Sequence, residues 1–167
     1  MEEVTRLPGF TIRAATVDDT PLILAFIKGL AEYEKLAHEV VATEEILRKT
    51  LFGQRSVAEV ILGYQGDEPV SFALFFCNFS TFLGRPGLYL EDLFVKPEGR
   101  EKGIGRVMLA YLARLAQQRG CGRFEWSVLD WNEPAIAFYE SIDAVAMDDW
   151  TVYRITGSAL ERLAAKF

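Results

Sequence analysis

The chain has 167 residues and a mass of 18.8 kDa, the size of one domain with room for a substantial core. It carries 18 Lys plus Arg against 24 Asp plus Glu, a net charge of −6, which argues against a nucleic-acid module because phosphate contacts need a clustered surplus of Lys and Arg. Half of the residues are hydrophobic and 13% are aromatic, enough apolar surface to offset chain entropy and to exclude disorder. Cys77 and Cys121 lie outside any Cys-x-x-Cys pair, and the single histidine, His38, sits in a polar stretch that reads as solvated surface. A structural metal site and histidine-dependent nucleophilic catalysis are therefore not expected. No apolar stretch reaches the roughly 18 residues of a membrane span, and Met1-Glu2-Glu3 lacks a basic signal region, so the expectation is a cytoplasmic protein with no membrane partner.

Phe10-Thr11-Ile12-Arg13-Ala14 alternates with a period of two and predicts a first strand. Thr16 to Asp19 supplies a capping-box start for a helix whose Leu22, Phe26, Ile27 and Leu30 recur at helical spacing to about Tyr33. A second helix is expected from Thr43 through Leu51, stopped by Gly53. Val57 to Tyr64 and Val70 to Phe79, joined across Gln65-Gly66-Asp67-Glu68, read as an antiparallel hairpin. The run from Leu88 to Val95 predicts another strand, ended by Pro97; Ile104, Met108, Tyr111, Leu112 and Leu115 predict a helix ended by Gly120. Phe124 to Leu129 is expected as a strand, Asn132-Glu133-Pro134 as the start of a short helix, and Trp150 to Ile155 as a last strand. Ser158 with Glu161 would cap a terminal helix. With no repeat or linker, residues 1–167 read as a single domain of α/β (α+β) class.

Chemistry is first visible at the turn after Val95. Gly103 and Gly105 lack Cβ atoms, so backbone amides opening the next helix can approach a bulky anion, and the helix dipole favours negative charge there. Lys96, Arg100, Lys102 and Arg106 outnumber Glu98 and Glu101 locally, although the whole chain is acidic. By itself this is equally a plain strand-to-helix turn.

Arg100-x-x-Gly103-x-Gly105, after Phe94-Val95-Lys96-Pro97, resembles the acetyl-CoA motif of the GNAT superfamily of N-acetyltransferases. Leu88 to Val95, Asp130-Trp131-Asn132-Glu133-Pro134-Ala135-Ile136-Ala137-Phe138-Tyr139, and Leu30-Ala31-Glu32-Tyr33-Glu34 are similar to the diamine (spermidine/spermine) acetyltransferase branch. Val128 to Asn132 leans toward relatives that prefer thialysine. The resemblance implies a GNAT fold, with a central mixed, mostly antiparallel sheet flanked by helices. It also implies acetyl-CoA as co-substrate, no metal, and a homodimer. The implied cofactor contacts are Leu93, Phe94, Val95, Arg100, Glu101, Lys102, Gly103, Ile104, Gly105, Arg106, Asn132, Glu133, Pro134 and Ala135. Two departures stand out: Glu101 and Asp143 occupy places where relatives carry glycine.

Acetyl transfer from a thioester to an amine needs a base, an oxyanion site and a proton for the departing thiolate. A lysine-type amine arrives protonated at neutral pH, and a carboxylate of raised pKa is a suitable base. Glu91, in the middle of an apolar strand, is expected to be desolvated, with Asp92 on the opposite face. The resemblance makes Glu91 the base and a substrate contact, Tyr139 the general acid, and the Leu93 to Val95 amides the oxyanion donors. It also assigns amine binding to Tyr33, Glu34 and one of Asp148 and Asp149. By residues alone, Tyr139 is equally a core aromatic and Asn132 a helix cap. Neither cysteine is placed as an acyl carrier, which favours direct attack in a ternary complex. The reading is an acyltransferase acting on a small cationic amine: a diamine, a polyamine or a thialysine-like lysine analogue. The rivals are a peptide amine or an aminoglycoside as acceptor, and a catalytically silent acyl-CoA- or polyamine-binding module.

Overall fold

A computed structural model describes residues 2–167. The chain falls into two compact units, one ending at Ser127 and the other Val128–Phe167. The first unit is built on a six-stranded sheet whose spatial order follows the sequence: β1 (Glu2–Val4), β2 (Phe10–Ala14), β3 (Glu59–Gln65), β4 (Glu68–Ser80), β5 (Arg85–Val95) and β6 (Phe124–Trp126). Neighbours are antiparallel except β5 and β6, which run parallel. Three helices accompany the sheet: α1 (Thr20–Tyr33), α2 (Glu44–Phe52) and α3 (Ile104–Gln118).

Local chemistry explains most boundaries. The Asp19 carboxylate accepts from the Thr16 N–H at 2.7 Å ahead of α1, and Thr43 Oγ1 accepts from the Ile46 N–H at 3.2 Å to open α2. Helix α2 ends where a Cβ on Gly53 would lie 2.3 Å from the Lys49 carbonyl oxygen, a place no side chain fits. The β3–β4 turn passes through Gly66 at φ +59°. Sequence patterning does not announce β1, three residues with two glutamates. It is held by partners: Thr11 Oγ1 donates to Glu2 at 2.5 Å, and Arg114 of α3 pairs with Glu3.

The core forms where α1 and α2 cover one face of the sheet. Ile23, Phe26, Leu47, Leu51, Val60, Leu62, Phe72 and Phe94 make one buried cluster. The Phe26 ring stacks on Phe72 at 5.3 Å and meets Phe94 edge-on at 6.2 Å, within the favourable range for aromatic pairs. Val95, the next residue of β5, turns to the other face, where a Cβ on Gly105 would stand 3.9 Å from its Cγ2. Helix α3 buries Ile104, Met108, Leu109, Leu112 and Ala116.

The second unit holds α4 (Glu133–Glu140) and α5 (Gly157–Ala164). Three expectations need correction here and at its border. The β6 strand stops at Trp126 rather than Leu129. Trp150 to Ile155 is not a strand: its alternation breaks at Val152-Tyr153, it joins no ladder among the described residues, and Trp150, Val152 and Tyr153 are exposed. Helix α5 begins after Thr156, whose side chain makes no capping hydrogen bond, and Ser158 lies inside the helix, where its hydroxyl accepts from Arg162 at 3.0 Å. His38 is exposed beside Glu39 at 3.3 Å, as a solvated face requires. No helix of the described residues is long and apolar enough to cross a membrane.

Candidate active site

The site in the first unit is organised by an irregularity in β5. Opposite Leu74 lies Asp92, but opposite the next residue, Phe75, lies Leu90, so Glu91 has no partner in the β4 ladder. Such a bulge bends its strand and interrupts the alternation of side chains. On its other edge β5 pairs with β6 only from Leu88 to Leu90. From Glu91 to Val95 that edge extends past the end of β6, which leaves the backbone groups of Leu93 and Val95 facing away from a strand, while those of Phe94, paired with Phe72, turn to β4 instead and so fall outside the expected set of three.

The bulge also corrects an expectation about burial. Glu91 is exposed, and the carboxyl that the fold withdraws from water is that of its neighbour Asp92. Burial pushes the Asp92 carboxyl up to about 6, and the nearby charges of Glu91 and then Glu34 push in the same direction. Burial likewise raises Glu34, which follows the last turn of α1. Three acids from two elements, Glu34, Glu91 and Asp92, therefore form one cluster. Strict alternation puts Asp92 on the face away from Glu91 and so hides it from local sequence; the register shift at the bulge is the signal that reveals it.

Next to this cluster the glycine turn takes shape. Gly103 adopts φ +82°, the left-handed region that favours glycine, and a Cβ there would meet nothing within 4 Å. The first amides of α3, those of Ile104, Gly105 and Arg106, have no acceptor one turn earlier in the helix. A bare backbone surface with open space above it, at the positive end of a 15-residue helix, suits a pyrophosphate. Glu101, exposed in the turn, is left-handed at φ +61°, which explains why glycine is the economical residue at that place. Asp143, at φ +62° after α4, repeats the pattern.

Arg100 is engaged with protein groups. Its guanidinium lies 4.4 Å from the Tyr33 ring centre and 5.7 Å from that of Phe94, and its Nε donates to the Val95 carbonyl at 3.1 Å. Lys96 is paired with Glu68 at 2.8 Å. Lys102 is exposed beside the open turn, and Arg106 lies on the first turn of α3. Tyr89 and Ser127 join their hydroxyls at 2.8 Å near the end of β6.

The remaining predicted residues belong to the second unit. The Asn132 side chain, buried, accepts from the Ala135 N–H at 3.4 Å and so caps α4, with Glu133, Pro134 and Ala135 forming its first turn. Tyr139 lies on the same helix with its ring 5.5 Å from that of Phe138. Asp148 and Asp149 are exposed in a turn before Trp150.

A strand bent by a bulge, its open edge, and a glycine turn leading into a helix make a site fit for an anionic acyl carrier, as an acyltransferase requires. Comparison with known proteins agrees. The acetyltransferase (GNAT) family matches residues 25–143, and the chain belongs to this family, whose members use acetyl-CoA. It is 35% identical to a thialysine N-epsilon-acetyltransferase of Caenorhabditis elegans, over 95% of this chain and 99% of that one. The enzyme of the same name from Sus scrofa is 39% identical over 93% and 97%. An L-ornithine N5-acetyltransferase of Arabidopsis thaliana is 32% identical over 91% and 86%. Among solved structures, an integron cassette protein from the mobile metagenome of V. cholerae superposes with a TM-score of 0.79 at 27% identity, covering 93% of this chain and 98% of that one.

Proposed function

We propose that this N-acetyltransferase moves an acetyl group from acetyl-CoA to the side-chain amine of a small basic amino acid of thialysine or ornithine type, with diamines and polyamines as further acceptors. The observation that carries the reading is the acid cluster at the β5 bulge, where Asp92, with its carboxyl pushed up to about 6 by burial, lies near the charges of Glu91 and Glu34. A group of that pKa is ionised at pH 7 yet close enough to it to accept a proton efficiently, and three acids together attract an ammonium. The printed activities of the relatives, on thialysine and on ornithine, support the acceptor class.

In this reading Glu34, with the face of Tyr33, holds the cationic amine. Asp92 takes the proton that frees the amine lone pair, and Glu91, exposed at the bulge, passes it to solvent. Acetyl-CoA, when bound, supplies the thioester acyl group. The N–H groups of Leu93 and Val95, on the edge that β6 leaves open, receive the negative charge developing on the acyl oxygen. The amides of Ile104, Gly105 and Arg106, with Lys102, hold the pyrophosphate, and Asn132 to Ala135 contact the rest of the carrier. Tyr139 returns a proton from its phenol O–H to the departing sulfur. Attack is direct, in a ternary complex. Asp148 or Asp149 adds a further anionic contact. A homodimer belongs to the same reading, supported by the exposed apolar residues Trp150, Val152, Tyr153 and Phe167.

Mass spectrometry of products formed from acetyl-CoA and a panel of amines tests the proposal: thialysine, ornithine, lysine, diamines, polyamines, aminoglycosides and peptides. Singly acetylated basic amino acids are expected. Acetylation confined to peptides or aminoglycosides, or saturable CoA binding with no acetylated product, would replace this reading with one of its rivals. Light scattering during gel filtration tests the dimer.

A further inference from the structure

At the end of α3 remote from the glycine turn, the two cysteines of the chain meet. Cys77 lies within β4, opposite Leu88 of β5, and is exposed. Gly120, at φ +69°, turns the chain back after α3, and the Cys121 amide donates to the Ala116 carbonyl at 2.9 Å, which fixes the residue against the helix end. There burial, and after it the neighbouring Cys77, push the Cys121 thiol up. Arg119 completes the cluster. Its Nη1 donates to Cys77 Sγ at 4.0 Å, while Nη1 and Nη2 grip the two oxygens of Glu59 at 2.5 and 2.7 Å. A buttressed guanidinium thus holds a fixed positive charge against an exposed sulfur that has a second thiol at its side. Acetyl transfer, as proposed above, uses none of these groups.

We infer that Cys77 and Cys121 form an oxidisable dithiol, which a low-molecular-weight disulfide such as glutathione disulfide closes into an intramolecular disulfide. Cys77 is the entering thiol, because it is exposed and carries the Arg119 contact. Its thiolate attacks one sulfur of the external disulfide; a mixed disulfide forms as the external S–S bond breaks, and the first glutathione leaves as thiolate and is protonated by water. Cys121 is less exposed, and its thiol is pushed up by burial and by Cys77. It therefore acts second: it loses its proton to solvent, attacks Cys77 Sγ and expels the second glutathione. Two protein thiols are oxidised and one external disulfide is reduced to two thiols, with no other reactant. The ring so closed contains all of β5, the glycine turn and α3, hence Glu91, Asp92 and Gly103.

The test exposes the reduced full-length chain to glutathione disulfide, quenches with acid, alkylates the remaining thiols, and reads intact mass and peptide maps. For the unmutated protein the expected result is concerted loss of both alkylatable thiols, a Cys77–Cys121 linked peptide and no retained glutathione. Cys121→Ser should instead accumulate one glutathione on Cys77, and Cys77→Ser should react about tenfold more slowly at its remaining thiol, for want of the exposed, Arg-contacted sulfur. A lasting glutathione adduct on the unmutated chain, disulfide-linked pairs of chains, or two thiols that survive conditions oxidising ordinary dithiols would each overturn the inference. None of these readouts depends on which amine is acetylated.

Discussion

The guanidinium of Arg100 lies 4.4 Å from the ring centre of Tyr33, so the glycine turn and the end of α1 are joined by a cation over an aromatic face. The same side chain touches Phe94 and binds the Val95 carbonyl through Nε. It thus connects the residues assigned to the amine with those assigned to the acyl carrier.

Arg100→Lys keeps the charge but loses the planar stack and the Nε hydrogen bond. Partly buried contacts of this kind are worth about 1–2 kcal/mol together. Urea unfolding should show a lower midpoint at unchanged slope, and the KM for the amine should rise along with that for acetyl-CoA. An effect on acetyl-CoA alone would mean that the link to Tyr33 carries nothing.

Asp92 has opposite consequences for stability and activity. Its carboxyl is raised in the folded chain to about 6, above an unfolded value near 3.9. Between those values the folded state binds more protons than the unfolded one, so stability falls as pH rises from about 4 to 6, by about 3 kcal/mol, and then levels off. Asp92→Asn should be the more stable protein above pH 6 and should lack that slope. Its acetylation rate should drop roughly a hundredfold and lose the inflection near pH 6 in kcat/KM. Retention of that inflection in Asp92→Asn, with its loss in Glu91→Gln, would transfer the role of base to Glu91.

Asp19 behaves in the reverse sense. The hydrogen-bonded Arg13 guanidinium, 2.7 Å away, and the Thr16 amide hold its carboxyl down at about 2. The stabilisation is complete above the unfolded value near 3.9 and is lost as pH falls through about 2. Asp19→Asn should flatten the acid limb of a thermal-stability profile over that window while leaving the profile at pH 7 to 9 parallel to that of the unmutated chain. The pair is partly exposed to solvent, so the loss at neutral pH should be about 1 kcal/mol.

Three substitutions at the glycine turn separate strain from ligand binding. Glu101→Gly relieves a left-handed residue at φ +61° and removes an acid from beside the cradle. It should raise stability by roughly 0.5–1 kcal/mol and tighten CoA binding. Gly105→Ala adds a Cβ that makes only an ordinary contact with Val95; the fold should tolerate it while calorimetric CoA affinity falls. Gly103→Ala should lose both, since φ +82° is unfavourable for any side chain. Equal CoA affinity in Gly105→Ala and the unmutated chain would place the pyrophosphate elsewhere.

The sequence by itself determined the helices α1 to α4, the β3–β4 hairpin, β5 and the glycine turn, because each is written in local terms: apolar residues at a period of two or 3.6, a capping side chain, a glycine at a forced dihedral. Family resemblance then added an activity that periodicity alone does not contain. What depended on distant partners was decided only by the tertiary structure. Trp150 to Ile155 is rich in strand-forming residues yet joins no ladder among the described residues, whereas the charged Glu2–Val4 is a strand because Thr11 and Arg114 hold it. The change with most chemical weight is the slip of one residue between β4 and β5. Alternation is a property of a regular ladder, and a single unpaired residue at Glu91 shifts which acid meets water and which is buried. That register is set by side-chain packing across two strands far apart in the chain, so the raised carboxyl of Asp92 became visible only with the fold.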